Sequence, residues 1–163
     1  DKNRMKDSIL KVMAFTFLEG REMTNPEKQN MFSKQYYNTV IECMKNEKVF
    51  CAAFGVRTLG KNEQMYQIVK SGNPSCWLGP VWGIANYLCF RGLVKYGFLE
   101  QAEWLAKATI ELFGKDIEEN GEMHEYYDPD SGSGVNNSGF QSWNLLVNNM
   151  IAWVEGRKCI EEF

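Results

Sequence analysis

The sequence lacks the residues that metal and nucleic-acid sites need. It holds a single histidine, His124, and no Cys-x-x-Cys pair. Its five cysteines, Cys43, Cys51, Cys76, Cys89 and Cys159, are odd in number and widely spaced. A structural zinc site is therefore disfavoured, no metal or cofactor is expected, and reduced, buried thiols in a cytoplasmic protein are the plain reading. There is no basic run, and the formal net charge is −3 with a pI near 5.3, which argues against a nucleic-acid partner. No apolar run approaches the ~20 residues of a spanning helix, and no leader-like segment stands in the sequence, so no membrane association is expected. Convincing β-type alternation is missing too. Gly132-Ser-Gly134 lacks the Lys and the preceding strand of a phosphate loop, and nothing suggests a Ser–His–Asp or Cys–His nucleophile.

What remains is a chain of 163 residues, 44% hydrophobic, enough for one domain with a sizeable core. It opens on Asp1 rather than Met, which reads as a piece of something longer. Helical patterning dominates. Residues about 4–18 carry Ile9, Leu10, Val12, Met13, Phe15, Phe17 and Leu18. Thr24-Asn25-Pro26-Glu27 has the polar cap and first-turn Pro of a helix start, and that helix is predicted to run to about residue 46. Residues 47–79, punctuated by Gly55, Gly60, Gly72 and Gly79, read mostly as loop with one or two short helical turns.

Three further helices are predicted over about 80–96, 99–117 and 139–156. The first and third are apolar on most sides. The second has a stripe of Ala102, Leu105, Ala108 and Leu112 opposite Glu103, Lys107, Glu111 and Lys115. Asp116, Glu118 and Glu119 read as a solvated helix end. A helix apolar nearly all round is buried on two sides, and an amphipathic one lies outside. Inner, outer, inner predicts an all-α fold of concentric helix layers. The long segments 47–79 and 118–138 then fall on one rim, where function usually sits. A short hairpin near Glu122–Tyr127 is compatible with this.

Two loops carry the chemistry. Trp77-Leu-Gly79-Pro80-Val-Trp82 offers flat aromatic surfaces on which the apolar faces of sugar rings stack. Gly79 would let backbone approach a ligand closely, Pro80 fits a first helical turn, and Asn86 falls four residues beyond Trp82. On residue types alone, two core Trp flanking a helix start is the plainer reading. In His124-Glu125-Tyr126-Tyr-Asp-Pro-Asp-Ser-Gly132, turn residues fix a loop that sets Glu125 among aromatics, a setting suited to proton transfer. A surface acid in an acidic loop is the plainer reading here. His124 would point away from Glu125 on an extended segment and is read as making a structural hydrogen bond.

The order and spacing of these motifs carry a resemblance. Trp77-Leu-Gly-Pro-Val-Trp82, Asn86-Tyr87, Gly92-Leu and Tyr96-Gly97 resemble the W-x-G-P-V-W…N-Y…G-L…Y-G segment of glycoside hydrolase family 63 and its trehalase-like relatives. The Glu125 loop resembles that family's E-x-Y-(N/D)-P-x-(S/T)-G. Gly139-Phe-Gln-Ser-Trp143 resembles its lead into the last inner helix, and Phe54-Gly-Val-Arg-Thr-Leu59 a further loop. The likeness covers roughly residues 50–155, with Leu78 where the family commonly has Arg.

The resemblance implies an (α/α)6 toroid and inverting hydrolysis of α-linked sugars, α-glucosidase-like, with a carbohydrate substrate. Carried over by position, Glu125 is the general base, Trp77 and Trp82 line the pocket around the sugar, and Gln141 and Trp143 lie near it; with Gly79 and Asn86 from the Trp motif they make up the expected substrate-binding set. The family's general acid is an Asp of the first half of the toroid, and neither Asp1 nor Asp7 has that context. Residues 1–163 are therefore expected to be the C-terminal part of the catalytic domain. Such a piece would pair with the rest of its toroid or with itself and be inactive alone. A non-catalytic carbohydrate-binding or regulatory remnant is the alternative.

Overall fold

The computed structural model describes residues 39–68 and 76–158. The helix expected over 4–18, most of the one expected to end at 46, and Cys159 lie outside them. Residues 39–45 are helical and bury Val40, Ile41 and Met44, neighbours on one helix face by their spacing.

Helix α1, Gly83–Lys95, buries Ala85, Asn86, Tyr87, Cys89, Phe90, Gly92 and Leu93. It ends close to the predicted residue 96. The Phe98 N–H donates to Leu93 O at 2.9 Å and the Gly97 N–H to Val94 O at 3.1 Å, with Gly97 at φ 78°. This doubly bonded left-handed stop suits glycine, which has no Cβ to clash. Helix α2, Leu99–Asn120, follows directly and buries the predicted stripe together with Thr109, Phe113 and Asp116. A 3-10 turn, Trp143–Leu146, leads into α3, Val147–Val154.

The main core packs α1 on α2, with the 39–45 segment and Met150 of α3 against them. Leu93, Leu105 and Leu112 are fully buried, each burial worth about 1.5–3 kcal/mol. Among the described residues no helix is long and apolar enough to cross a membrane. The four described cysteines are free. Burial pushes the Cys89 thiol up to about 12.

Three expectations need correction. The chain is helix-rich but not wholly α, because among the described residues two small antiparallel sheets stand beside the helices. Strands β1, Cys51–Ala52, and β2, Gly55–Val56, form a hairpin. Strands β3, Val81–Trp82, β4, Tyr126–Tyr127, and β5, Gly134–Asn136, form the second sheet in that order. Next, Pro80 does not begin a helix. Val81 and Trp82 pair with Tyr127 and Tyr126, so α1 starts only at Gly83. Lastly, the 139–156 region is α-helical only over α3, and Leu145 is 51% exposed.

The two long segments do meet. The Arg57↔Val81 bridge joins the β1–β2 hairpin region to β3. Asp130 accepts hydrogen bonds from Arg57 Nη2 at 2.8 Å and Lys61 Nζ at 3.1 Å, tying segment 47–79 to segment 118–138.

Candidate active site

The β3–β4 pairing brings the Trp motif and the Glu125 loop together, with Trp82 opposite Tyr126. Beyond β4 the chain reverses through a side-chain-capped turn. Asp128 Oδ1 accepts the N–H groups of Asp130 and Ser131 at 2.9 and 2.8 Å, and Gly132 supplies a φ of 71°. Strand β5 then returns beside β4 with an irregular register, Tyr126 opposite Asn136.

The result is an aromatic stack. Trp77 lies on Trp82 at 4.0 Å, Trp82 on Tyr126 at 4.9 Å, and Trp143 is tilted against Trp82 at 6.1 Å. Trp82 is 1% exposed and its Nε1 donates to Cys76 O at 2.8 Å, so it backs the stack instead of facing solvent. Trp77 is 46% exposed and offers the accessible indole. Trp143 is half-buried, and its buried Nε1 has no hydrogen-bond partner among the described residues.

Glu125 sits next to Tyr126 and is 5% exposed. Its N–H donates to Asn136 O at 3.0 Å. Its Oε2 accepts from Asn136 Nδ2 at 3.4 Å and from Asn137 Nδ2. It is thus a buried, hydrogen-bonded carboxylate beside an aromatic wall, not a surface acid. Asn136 and Asn137 escaped sequence reasoning. They lie 11 and 12 residues from Glu125, and only the hairpin register makes them neighbours.

Two expected ligand residues are also engaged within the fold. Asn86 is fully buried. Its Oδ1 accepts the Val56 N–H at 3.0 Å, and its Nδ2 donates to Phe54 O at 3.1 Å and Thr109 Oγ1 at 2.9 Å. Its amide pins the hairpin to α1 and α2. Gly79 has a φ of 149°, and a Cβ there would meet Tyr66 at 2.6 Å. Tyr66 makes a close approach there. Gln141 is exposed on the loop before the 3-10 turn.

Behind Glu125 lies a polar cluster. Asp116, read from sequence as solvated, is 2% exposed. It accepts the His124 N–H at 2.9 Å, His124 Nδ1 at 2.9 Å and Asn120 Nδ2 at 2.8 Å. Burial pushes the Asp116 carboxyl up, but hydrogen bonds from His124, Asn120 and Tyr127 outweigh it and leave it below its ordinary value. The Tyr127 hydroxyl is pushed up by burial and then by Asp116. His124 is therefore structural, as expected. Lys61 and then Arg57 hold Asp130 low against burial. A depression of about 570 Å³ lined by Glu47, Arg57, Lys61, Trp104 and Asp130 lies on that side and includes neither Glu125 nor Trp77. Among the described residues no three His, Cys, Asp or Glu side chains gather as a metal site.

Comparison with known proteins gives a consistent picture. The mannosylglycerate hydrolase MGH1-like glycoside hydrolase domain matches residues 28–144. Mannosylglycerate hydrolase MGH1 of Selaginella moellendorffii is 34% identical over 110 residues, 60% of this chain and 20% of that protein. The mannosylglycerate hydrolase of Thermus thermophilus is 38% identical over 71 residues, 44% of this chain and 16% of that protein. The matches therefore span about a fifth or less of these relatives' length. Among solved structures, a GH63 mannosylglycerate hydrolase from Thermus thermophilus in complex with glucose superposes with a TM-score of 0.55 at 25% identity, covering 76% of this chain and 27% of that one. The same enzyme with Tris and D-glycerate gives 0.55 over 76% and 26%.

Proposed function

Because the chain belongs to the mannosylglycerate hydrolase MGH1-like glycoside hydrolase domain family, and with it to glycoside hydrolase family 63, we propose that it forms the C-terminal part of an inverting α-glycosidase's (α/α)6 catalytic domain. Its task is to supply the general base, Glu125, and the aromatic wall headed by Trp77. The observation that carries this reading is the Glu125 carboxylate, 5% exposed, beside a stack whose outer indole is open.

The chemistry needs two carboxyl groups. One, from outside this chain's matched segment, protonates the leaving glycosidic oxygen. Glu125 takes a proton from a water on the opposite face of the sugar as that water attacks the anomeric carbon. The two carboxyls stand roughly 6.5–9.5 Å apart to leave room for the water. Trp77 stacks on the sugar ring, and Trp143, tilted against Trp82, flanks the same wall. The names of the relatives favour a small α-linked glycosyl-glycerate as substrate over a general α-glucoside.

The test is the anomeric configuration of the first sugar released, followed by proton NMR, in the protein that contains this chain. An α-glycosyl-glycerate should give the β-anomer first. Release of the α-anomer would discard inversion. Sugar binding without turnover would favour a non-catalytic module.

A further inference from the structure

The Glu125 carboxylate has one oxygen tied and one open. Oε2 accepts both Asn136 and Asn137 side-chain amides, whereas no described residue is bonded to Oε1. Asn137 is itself exposed, yet its amide reaches a residue that is only 5% exposed. It is also the one non-glycine residue with positive φ among those described, at 45°. Left-handed backbone is uncommon outside glycine, and Asn tolerates it best. Such conformations persist where the surroundings over-determine them, and they gather at functional sites. Here the Tyr126↔Asn136 pairing and the Glu125 N–H to Asn136 O bond fix the strand. The left-handed residue that follows is the one whose amide meets Oε2.

A carboxylate's terminal torsion is broad and roughly two-fold, so an unrestrained Glu presents either oxygen, or neither, to a ligand. An amide donor on one oxygen removes that freedom. We propose that Asn137 is a positioning residue for Glu125, holding Oε2 so that Oε1 is the oxygen presented to the attacking water. The inference rests on Glu125 being the general base. It adds a residue, a bond and a specific oxygen to that role.

The test uses the protein that contains this chain. Asn137→Gly keeps the left-handed backbone at no steric cost and removes the amide. Asn137→Asp keeps the shape and sets a second carboxylate against Oε2. With Asn137→Gly, kcat should fall about 10- to 100-fold, while KM and the thermal midpoint stay near those of the wild type. Asn137→Asp should lose at least as much, and it carries the same test if Asn137→Gly does not fold. A crystal structure of the Gly variant should show the Glu125 carboxylate turned or split between two orientations. Wild-type kcat in Asn137→Gly, or an unmoved Glu125 carboxylate, would overturn the inference. Glu125→Gln, measured alongside, separates the two levels. If it abolishes turnover while Asn137→Gly does not, positioning alone fails. If it leaves turnover intact, the base reading fails and takes positioning with it.

Discussion

Trp77 lies on Trp82 with ring centroids 4.0 Å and planes 17° apart, and the two indoles have opposite fates: Trp82 is sealed in and Trp77 is 46% exposed. Their substitutions should therefore separate. Trp77→Ala should weaken sugar binding with little loss of stability, because stacking on an open indole is a ligand contact. Trp82→Ala should cost about 3–5 kcal/mol, the usual penalty for a buried aromatic. Sugar titration by fluorescence and urea unfolding of both variants check this. Equal loss of stability in the two would mean that Trp77 is core.

Asp116 gives the fold an acid-sensitive point. Its carboxyl is held below its ordinary value by hydrogen bonds from His124, Asn120 and Tyr127, which outweigh burial. A depressed folded value adds stability that is fully present above the unfolded value of about 3.9. That stability is lost as pH falls through the folded value. Asp116→Ala should cost about 1.5–3 kcal/mol at neutral pH, the range for hydrogen bonds to a charged group. It should also flatten the dependence of the urea midpoint on pH below about 4.

Asn86 and Gly55 form a lock. A Cβ at residue 55 would sit 2.2 Å from Asn86 Nδ2, and Gly55 has a φ of 131° that side chains rarely adopt. Gly55→Ala and Asn86→Ala should each destabilise by about 2–4 kcal/mol, from strain in one case and unsatisfied buried groups in the other. Sugar affinity per folded molecule should not change, since Asn86 spends its amide on Val56, Phe54 and Thr109. A specific loss of sugar affinity in Asn86→Ala would put it in the binding site.

These residues show where sequence reasoning reaches and where it stops. The α1 and α2 helices, the end of α1 near residue 96 and the Ala102–Leu112 stripe were legible because they follow from local period. A short hairpin near Glu122–Tyr127 was legible and is met by β4 and β5; the other strands were not, because two residues such as Val81-Trp82 carry no alternation to detect. Pro80 was misread for the same reason: a first-turn Pro and a Pro before a pairing strand look alike until Tyr126 and Tyr127 supply the pairing. Asp116 looked solvated because its donors, His124 and Tyr127, come from the chain beyond the helix. Asn136 and Asn137 become site residues only through a hairpin register that no local signal fixes.

The 163-residue chain on its own is expected to self-associate and to lack turnover. A piece of a toroid would leave inner helix faces that the rest of the toroid covers, which favours association, and it would hold one of the two carboxyls that the reaction uses. Sedimentation velocity and an α-glycoside assay on the isolated chain check both points. A stable monomer, or robust turnover, would contradict them.

The most direct measurement is Glu125→Gln in the protein that contains this chain, with kcat and sugar affinity determined separately. A general base contributes about 10²–10⁴-fold, so kcat should fall by that order while affinity for the α-glycoside holds. A variant that keeps its turnover would remove Glu125 from the chemistry.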